Sequence, residues 1–120
     1  MTIGRGLLLA GAVLAISAGT ALATLSGRAE PVAESPGRHE IRMRGNSFSP
    51  RTRTVALGDT VVWVNGDIVR HNAVRPDLFD SGDLRGGERF EWVPTDTGTV
   101  RYQCTIHQRM RGTLRVEIPR

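Results

Sequence analysis

The stretch Gly98-Thr99-Val100-Arg101-Tyr102-Gln103-Cys104-Thr105-Ile106-His107-Gln108-Arg109-Met110-Arg111-Gly112-Thr113-Leu114-Arg115-Val116-Glu117-Ile118 decides how the chain folds. Val100, Tyr102 and Cys104 fall on one side of an alternating pattern, with Arg101 and Gln103 on the other. Leu114, Val116 and Ile118 repeat it, with Arg115 and Glu117 opposite. Alternation with period two is the mark of a half-buried strand. The stretch therefore predicts two antiparallel strands joined by a tight turn, with Cys104 ending the first and Met110 opening the second.

The pattern continues outward. Thr60-Val61-Val62-Trp63-Val64, between Gly58-Asp59 and Asn65-Gly66-Asp67, reads as a buried strand flanked by turns. Residues 88–93 alternate, with Phe90 and Trp92 on one face. Weaker strands are expected at 39–44, 53–57 and 69–74. After Leu25 no stretch keeps a period of 3.6 long enough for a helix. Turn signals also stand at Gly45-Asn46, Gly86-Gly87 and Asp96-Thr97-Gly98. Short strands at such spacing predict an all-β sandwich.

Ahead of this domain, Arg5 is followed by an uncharged stretch from Gly6 to Leu25 and by Ala21-Leu22-Ala23, a small-x-small pattern. Residues 1–23 are expected to be a secretory signal peptide or an uncleaved membrane anchor. Either places the rest in the periplasm or on the outer face of a bacterial inner membrane. Residues 24–38, rich in Ser, Gly, Pro, Ala and Glu, read as a flexible linker, leaving 39–120 as the domain. His39, beside that linker, reads as solvated.

Of 120 residues, the basic ones are all Arg, and the formal charge is +4. The arginines are scattered among acidic residues, and the few aromatic residues sit in strand patterns, which speaks against nucleic-acid binding. A single cysteine, Cys104, cannot form an internal disulfide, and in an oxidising compartment a free thiol needs a reason to persist.

Cys104, His107 and Met110 supply that reason, because a C-x2-H-x2-M spacing in a tight turn can bring a thiolate, an imidazole and a thioether to one point. His71, followed by Asn72, can add a second imidazole. Two His, one Cys and a weak axial Met are the donors of a blue-copper site. The sulfur donors suit Cu(I), the imidazoles suit both oxidation states, and zinc seldom takes a thioether. A Cys-His thiol nucleophile would leave His71 and Met110 unexplained.

With these residues the chain resembles the cupredoxins, and among them the amicyanin and plastocyanin group. The resemblance covers about residues 40–118: the strand Gly58-Asp59-Thr60-Val61-Val62-Trp63-Val64-Asn65, His71-Asn72, the turn Asp96-Thr97-Gly98, and Tyr102-x-Cys104-x-x-His107-x-x-Met110-x-Gly112. The short gap between His107 and Met110 is that of amicyanin. The resemblance implies a Greek-key sandwich and one type 1 copper held by His71, Cys104, His107 and Met110. It also implies that Asn72 buttresses the ligand loop and that His107 reaches an apolar surface patch where electrons pass. Amicyanin loops are Pro-rich and apolar here, whereas this chain has Ile106, Gln108 and Arg109. Ile106, Arg109 and Arg111 are accordingly expected to form the docking surface, suited to a partner with an acidic patch.

The expected function is that of an exported, monomeric electron carrier between a redox donor and acceptor such as a cytochrome, dehydrogenase or oxidase, transforming no substrate itself. The alternative is a periplasmic protein of copper storage or delivery using the same ligands.

Overall fold

A computed structural model describes residues 35–120; the signal or anchor reading of 1–23 and most of the linker lie outside these residues. The described chain forms strands β1 Arg38–Arg44, β2 Ser47–Ser49, β3 Thr52–Ala56, β4 Thr60–Asn65, β5 Val74–Arg75, β6 Phe79–Asp80, β7 Arg89–Trp92, β8 Gly98–Gln103 and β9 Arg111–Glu117, with no helix among them. They make two sheets, one ordered β2-β1-β4-β7 and the other β3-β9-β8-β5-β6. β1 runs parallel to β4 and β3 parallel to β9, while the remaining pairs are antiparallel. The chain crosses repeatedly between the sheets, and the result is the cupredoxin-type Greek-key sandwich.

The alternation read from the sequence becomes the core. Ile41 and Met43 of β1, Val61 and Trp63 of β4, Val100 and Tyr102 of β8, and Leu114 and Val116 of β9 are all buried between the sheets. Trp63 is the centre: its ring meets Tyr102 edge-on at 5.3 Å between centroids and lies 4.9 Å from Phe79. Losing so large a buried ring would cost roughly 3–5 kcal/mol. Tyr102 in turn explains Gly112, its partner in the β8–β9 ladder, because a Cβ there would stand 2.3 Å from the Tyr102 ring and hydroxyl.

Four expectations need correction. Residues 69–74 do not form a strand: His71 makes one bridge to Leu84, and regular pairing starts only at Val74. The reason lies in Asn65, whose side chain donates to the carbonyls of Val69 (2.7 Å) and Leu84 (2.8 Å) and accepts from the Asp67 N–H (2.8 Å), holding the segment as a loop. Ile118 does not extend the buried face of β9, which stops at Glu117. The linker ends before Gly37, since the Thr60 N–H donates to the Gly37 carbonyl (2.9 Å) and Arg38 already pairs with Thr60.

Nor is His39 a solvated side chain. Its Nε2 lies 2.7 Å from the Asp59 carboxylate, and its Nδ1 accepts from Arg53 Nε at 3.2 Å. The parallel β1–β4 register sets His39 opposite Val61, beside the turn that carries Asp59. The pairing follows from that register.

Candidate metal centre

Two connections at one end of the sandwich carry the candidate ligands. The first, between β4 and β5, brings in His71; the second, between β8 and β9, brings in Cys104, His107 and Met110. The β8–β9 loop is closed by the Cys104 N–H donating to the Met110 carbonyl at 2.9 Å. Arg109 turns the chain just before Met110 with φ of 64°, a left-handed conformation that costs a non-glycine residue about 1–2 kcal/mol. The loop is thus held against its local preference.

His71 Nδ1, Cys104 Sγ and His107 Nδ1 converge. A nitrogen or sulfur of each lies within 4.8 Å of the others, with 3.1 Å between the two Nδ1 atoms and 3.7 Å from Cys104 Sγ to His107 Nδ1. Donors held about 2.0 Å (N) and 2.3 Å (S) from one trigonal ion stand about 3.5 Å (N to N) and about 3.7 Å (N to S) apart, so these spacings come close to those around a single small ion, with the two nitrogens slightly drawn together. His71 is fully buried and Cys104 nearly so; His107 is partly exposed. Met110 is 1% exposed, and its backbone carbonyl closes the loop on Cys104.

The fit is sharpened by Asp67, whose carboxylate lies 2.6 Å from His71 Nε2. A carboxylate at that distance keeps the ring proton on Nε2, which leaves the Nδ1 lone pair free to face the other two donors. The His71 N–H, and the backbone N–H groups of Gly45 and Asn46, hold the Asp67 carboxyl below the usual carboxylate range. Gly86 makes room for this turn: a Cβ there would meet the Asp67 carbonyl oxygen at 2.7 Å.

Asn72 joins the two connections. Its Nδ2 donates to Thr105 Oγ1 at 2.7 Å and its Oδ1 accepts from the Thr105 N–H at 2.8 Å. A two-way bond of this kind fixes the β8–β9 loop to the segment bearing His71. Ile106, Arg109 and Arg111 are all exposed around the same loop.

Sequence reasoning missed Asp67 and Thr105. Asp67 sits in an Asn-Gly-Asp run that reads as a turn, and its only signal is its place four residues before His71. Thr105 carries no signal beyond its place after Cys104.

No protein-family model matches the sequence. It is 31% identical to amicyanin-alpha of Methylorubrum extorquens over 121 residues, covering 94% of this chain and 99% of that protein. Among solved structures, a purple cupredoxin from Nitrosopumilus maritimus is 31% identical with a TM-score of 0.62, over 66% of this chain and 99% of that one. A copper-containing nitrite reductase from Thermus scotoductus is 34% identical with a TM-score of 0.65, over 72% of this chain and only 24% of the reductase. The last likeness is to one portion of a much longer enzyme. The chain belongs to the amicyanin family of cupredoxins, blue-copper electron carriers, and its cofactor is copper.

Proposed function

We propose that this protein is exported and passes single electrons between redox proteins, with His71 Nδ1, Cys104 Sγ and His107 Nδ1 as the strong copper donors and Met110 as the weak axial one. The observation that carries the reading is the convergence of those three atoms while Asp67 occupies the other nitrogen of His71. Copper, when bound, supplies the one-electron couple. The chain's own residues do the rest: Asp67 and Asn72 hold two ligand-bearing loops in one arrangement, and a rigid cage keeps reorganisation small when the charge of the centre changes. His107 is the exposed edge of the cage, with Ile106 (44% exposed) beside it, and Ile106, Arg109 and Arg111 surround the point of electron entry.

Storage or delivery of copper is the rival. A delivery site must let an acceptor reach the ion, whereas His71, Cys104 and Met110 are buried at 0%, 4% and 1% exposure. That burial favours retention of copper through many turnovers. Nothing in this arrangement calls for a substrate.

The Cu(II)-loaded protein should show the intense visible absorption of a thiolate bound to Cu(II), and Met110→Gln should keep that absorption while lowering the reduction potential, because a thioether favours Cu(I) more than an amide oxygen does. A pale spectrum would remove the type 1 assignment. An unchanged potential with copper retained would return Met110 to the core. Rapid loss of copper to an apo-acceptor during redox cycling would favour delivery.

A further inference from the structure

Sheet register sorts charge along the long axis of the sandwich. On the metal side the strand ends bring Arg44, Arg51 (just before β3), Arg89 and Arg111, and the connecting loops add Arg70, Arg85 and Arg109. Against them stand Asp67, held by His71, Asp80, level with Val74 and Gln103, Asp83, which lies 3.9 Å from Arg70, and Glu88. The opposite end presents Asp59, Asp96 and Glu117; its Arg38 is paired with Glu91, and Arg120 follows β9. The metal end is electropositive.

Within it, Arg51, Arg109 and Arg111 line one small cleft of about 80 Å³ with Asn46, Ser47 and Met110. Among the described residues none of the three forms an ion pair. Three like charges on one cleft repel each other, and an incoming carboxylate would relieve that repulsion while matching the guanidinium fork with two hydrogen bonds. The volume suits a single carboxylate side chain.

Resting on the electron-carrier reading, we propose that this cleft receives an acidic side chain of a redox protein, so that the partner docks off-centre, toward the Met110 side of His107, through an acidic face. Exposed Ile106 beside partly exposed His107, with arginines around them, is the apolar centre and charged rim of a protein contact. The chain enters the sandwich at Gly37 and Arg38, at the end away from this face.

The test is stopped-flow oxidation of the Cu(I)-loaded protein by an acidic and a basic c-type cytochrome across a range of ionic strength. Arg51 is tied to the fold through its backbone carbonyl, which accepts from the Thr113 N–H at 2.8 Å, so its side chain can be exchanged. Arg51→Glu should slow the acidic cytochrome roughly tenfold at low salt and flatten its salt dependence. Arg115→Glu, the same charge change on the outer face of β9 away from the cleft, should slow the rate clearly less than Arg51→Glu at every ionic strength, and by less than about twofold near physiological salt, where exposed charges beyond about 8–10 Å are screened.

Retained copper absorption in both variants separates the two readings. A parent protein that never develops that absorption fails the copper assignment itself. With copper absorption intact, an acidic-cytochrome rate indifferent to Arg51→Glu, or an equal loss in Arg115→Glu, overturns the cleft alone. Salt-sensitive binding to phosphatidylglycerol vesicles that Arg51→Glu abolishes, with cytochrome rates unmoved, would also overturn it and assign the arginines to lipid.

Discussion

Two partly buried histidine–aspartate pairs stand at opposite ends of this sandwich with nearly the same geometry. His71 Nε2 lies 2.6 Å from Asp67, and His39 Nε2 lies 2.7 Å from Asp59. They differ in what the other ring nitrogen faces. His71 Nδ1 meets His107 Nδ1 at 3.1 Å and the thiol of Cys104 nearby, whereas His39 Nδ1 is capped by a donor, Arg53 Nε, at 3.2 Å. An imidazole whose second nitrogen already accepts a hydrogen bond has no lone pair left for a metal. The first pair orients a ligand; the second ties β1, β3 and the turn before β4 together.

Cys104→Ser is the most drastic way to break the contrast. It replaces the only thiolate in the chain by a hydroxyl, so the intense visible absorption should vanish and copper affinity should fall, with the far end unaffected. Titration with Cu(II) followed by absorption checks it. Full colour in this variant would mean that the ligand set is wrong.

Asp67→Ala removes the partner that fixes His71. Loss of a ligand's hydrogen-bonded carboxylate typically costs about 10–100-fold in metal affinity, so copper should be held more weakly while the absorption keeps its form. Competition with a chelator measures this. Affinity equal to that of the parent protein would show that burial alone orients His71.

Asp59→Ala sharpens the comparison from the other end, with the smallest effect of the three. The Asp59 carboxylate accepts from the backbone N–H groups of Gly37 (2.7 Å) and Ala56 (2.9 Å) and pairs with His39. Leaving those donors unpaired should cost about 1–3 kcal/mol, while copper absorption stays unchanged.

The pH dependence has a definite sign. The Ala56 N–H foremost, and then His39, hold the Asp59 carboxyl below the usual carboxylate range. Its contribution is therefore present above the unfolded value of about 3.9 and is lost as pH falls through the lower folded value. Urea unfolding at stepped pH should show the stability gap between parent and variant constant near neutrality and shrinking below about pH 4. A gap that persists unchanged in acid would assign the stabilisation to packing instead of charge.

Much of this was legible from residues alone, and the limits have physical causes. Val100, Tyr102, Leu114 and Val116 announce their strands because a strand's side chains alternate whatever it pairs with. Cys104, His107 and Met110 share one loop, so their spacing already confines them to a small volume. Residues 69–74 looked like a strand because Val69 and Val74 are β-branched, but the side chain of Asn65 captured the backbone groups that a strand would have used. Ile68, Val69 and Ile118 show that apolar character does not ensure burial, which depends on having a facing layer.

By itself, then, the sequence determined the elements and the donor types: alternating runs cut by Gly, Asn and Asp turns, and one thiol, two imidazoles and a thioether available to a soft metal. Only the tertiary structure decided which histidine had its second nitrogen free, which carboxylate stood behind it, and which arginines came together at the metal end. Those outcomes depend on register between strands distant in the chain. The parallel pairing of β3 with β9 brings Arg51 level with Gly112 and so into one cleft with Arg111, and that of β1 with β4 sets His39 beside Asp59. Local periodicity specifies what each strand presents, but the alignment of one strand with another is settled by packing across the whole core.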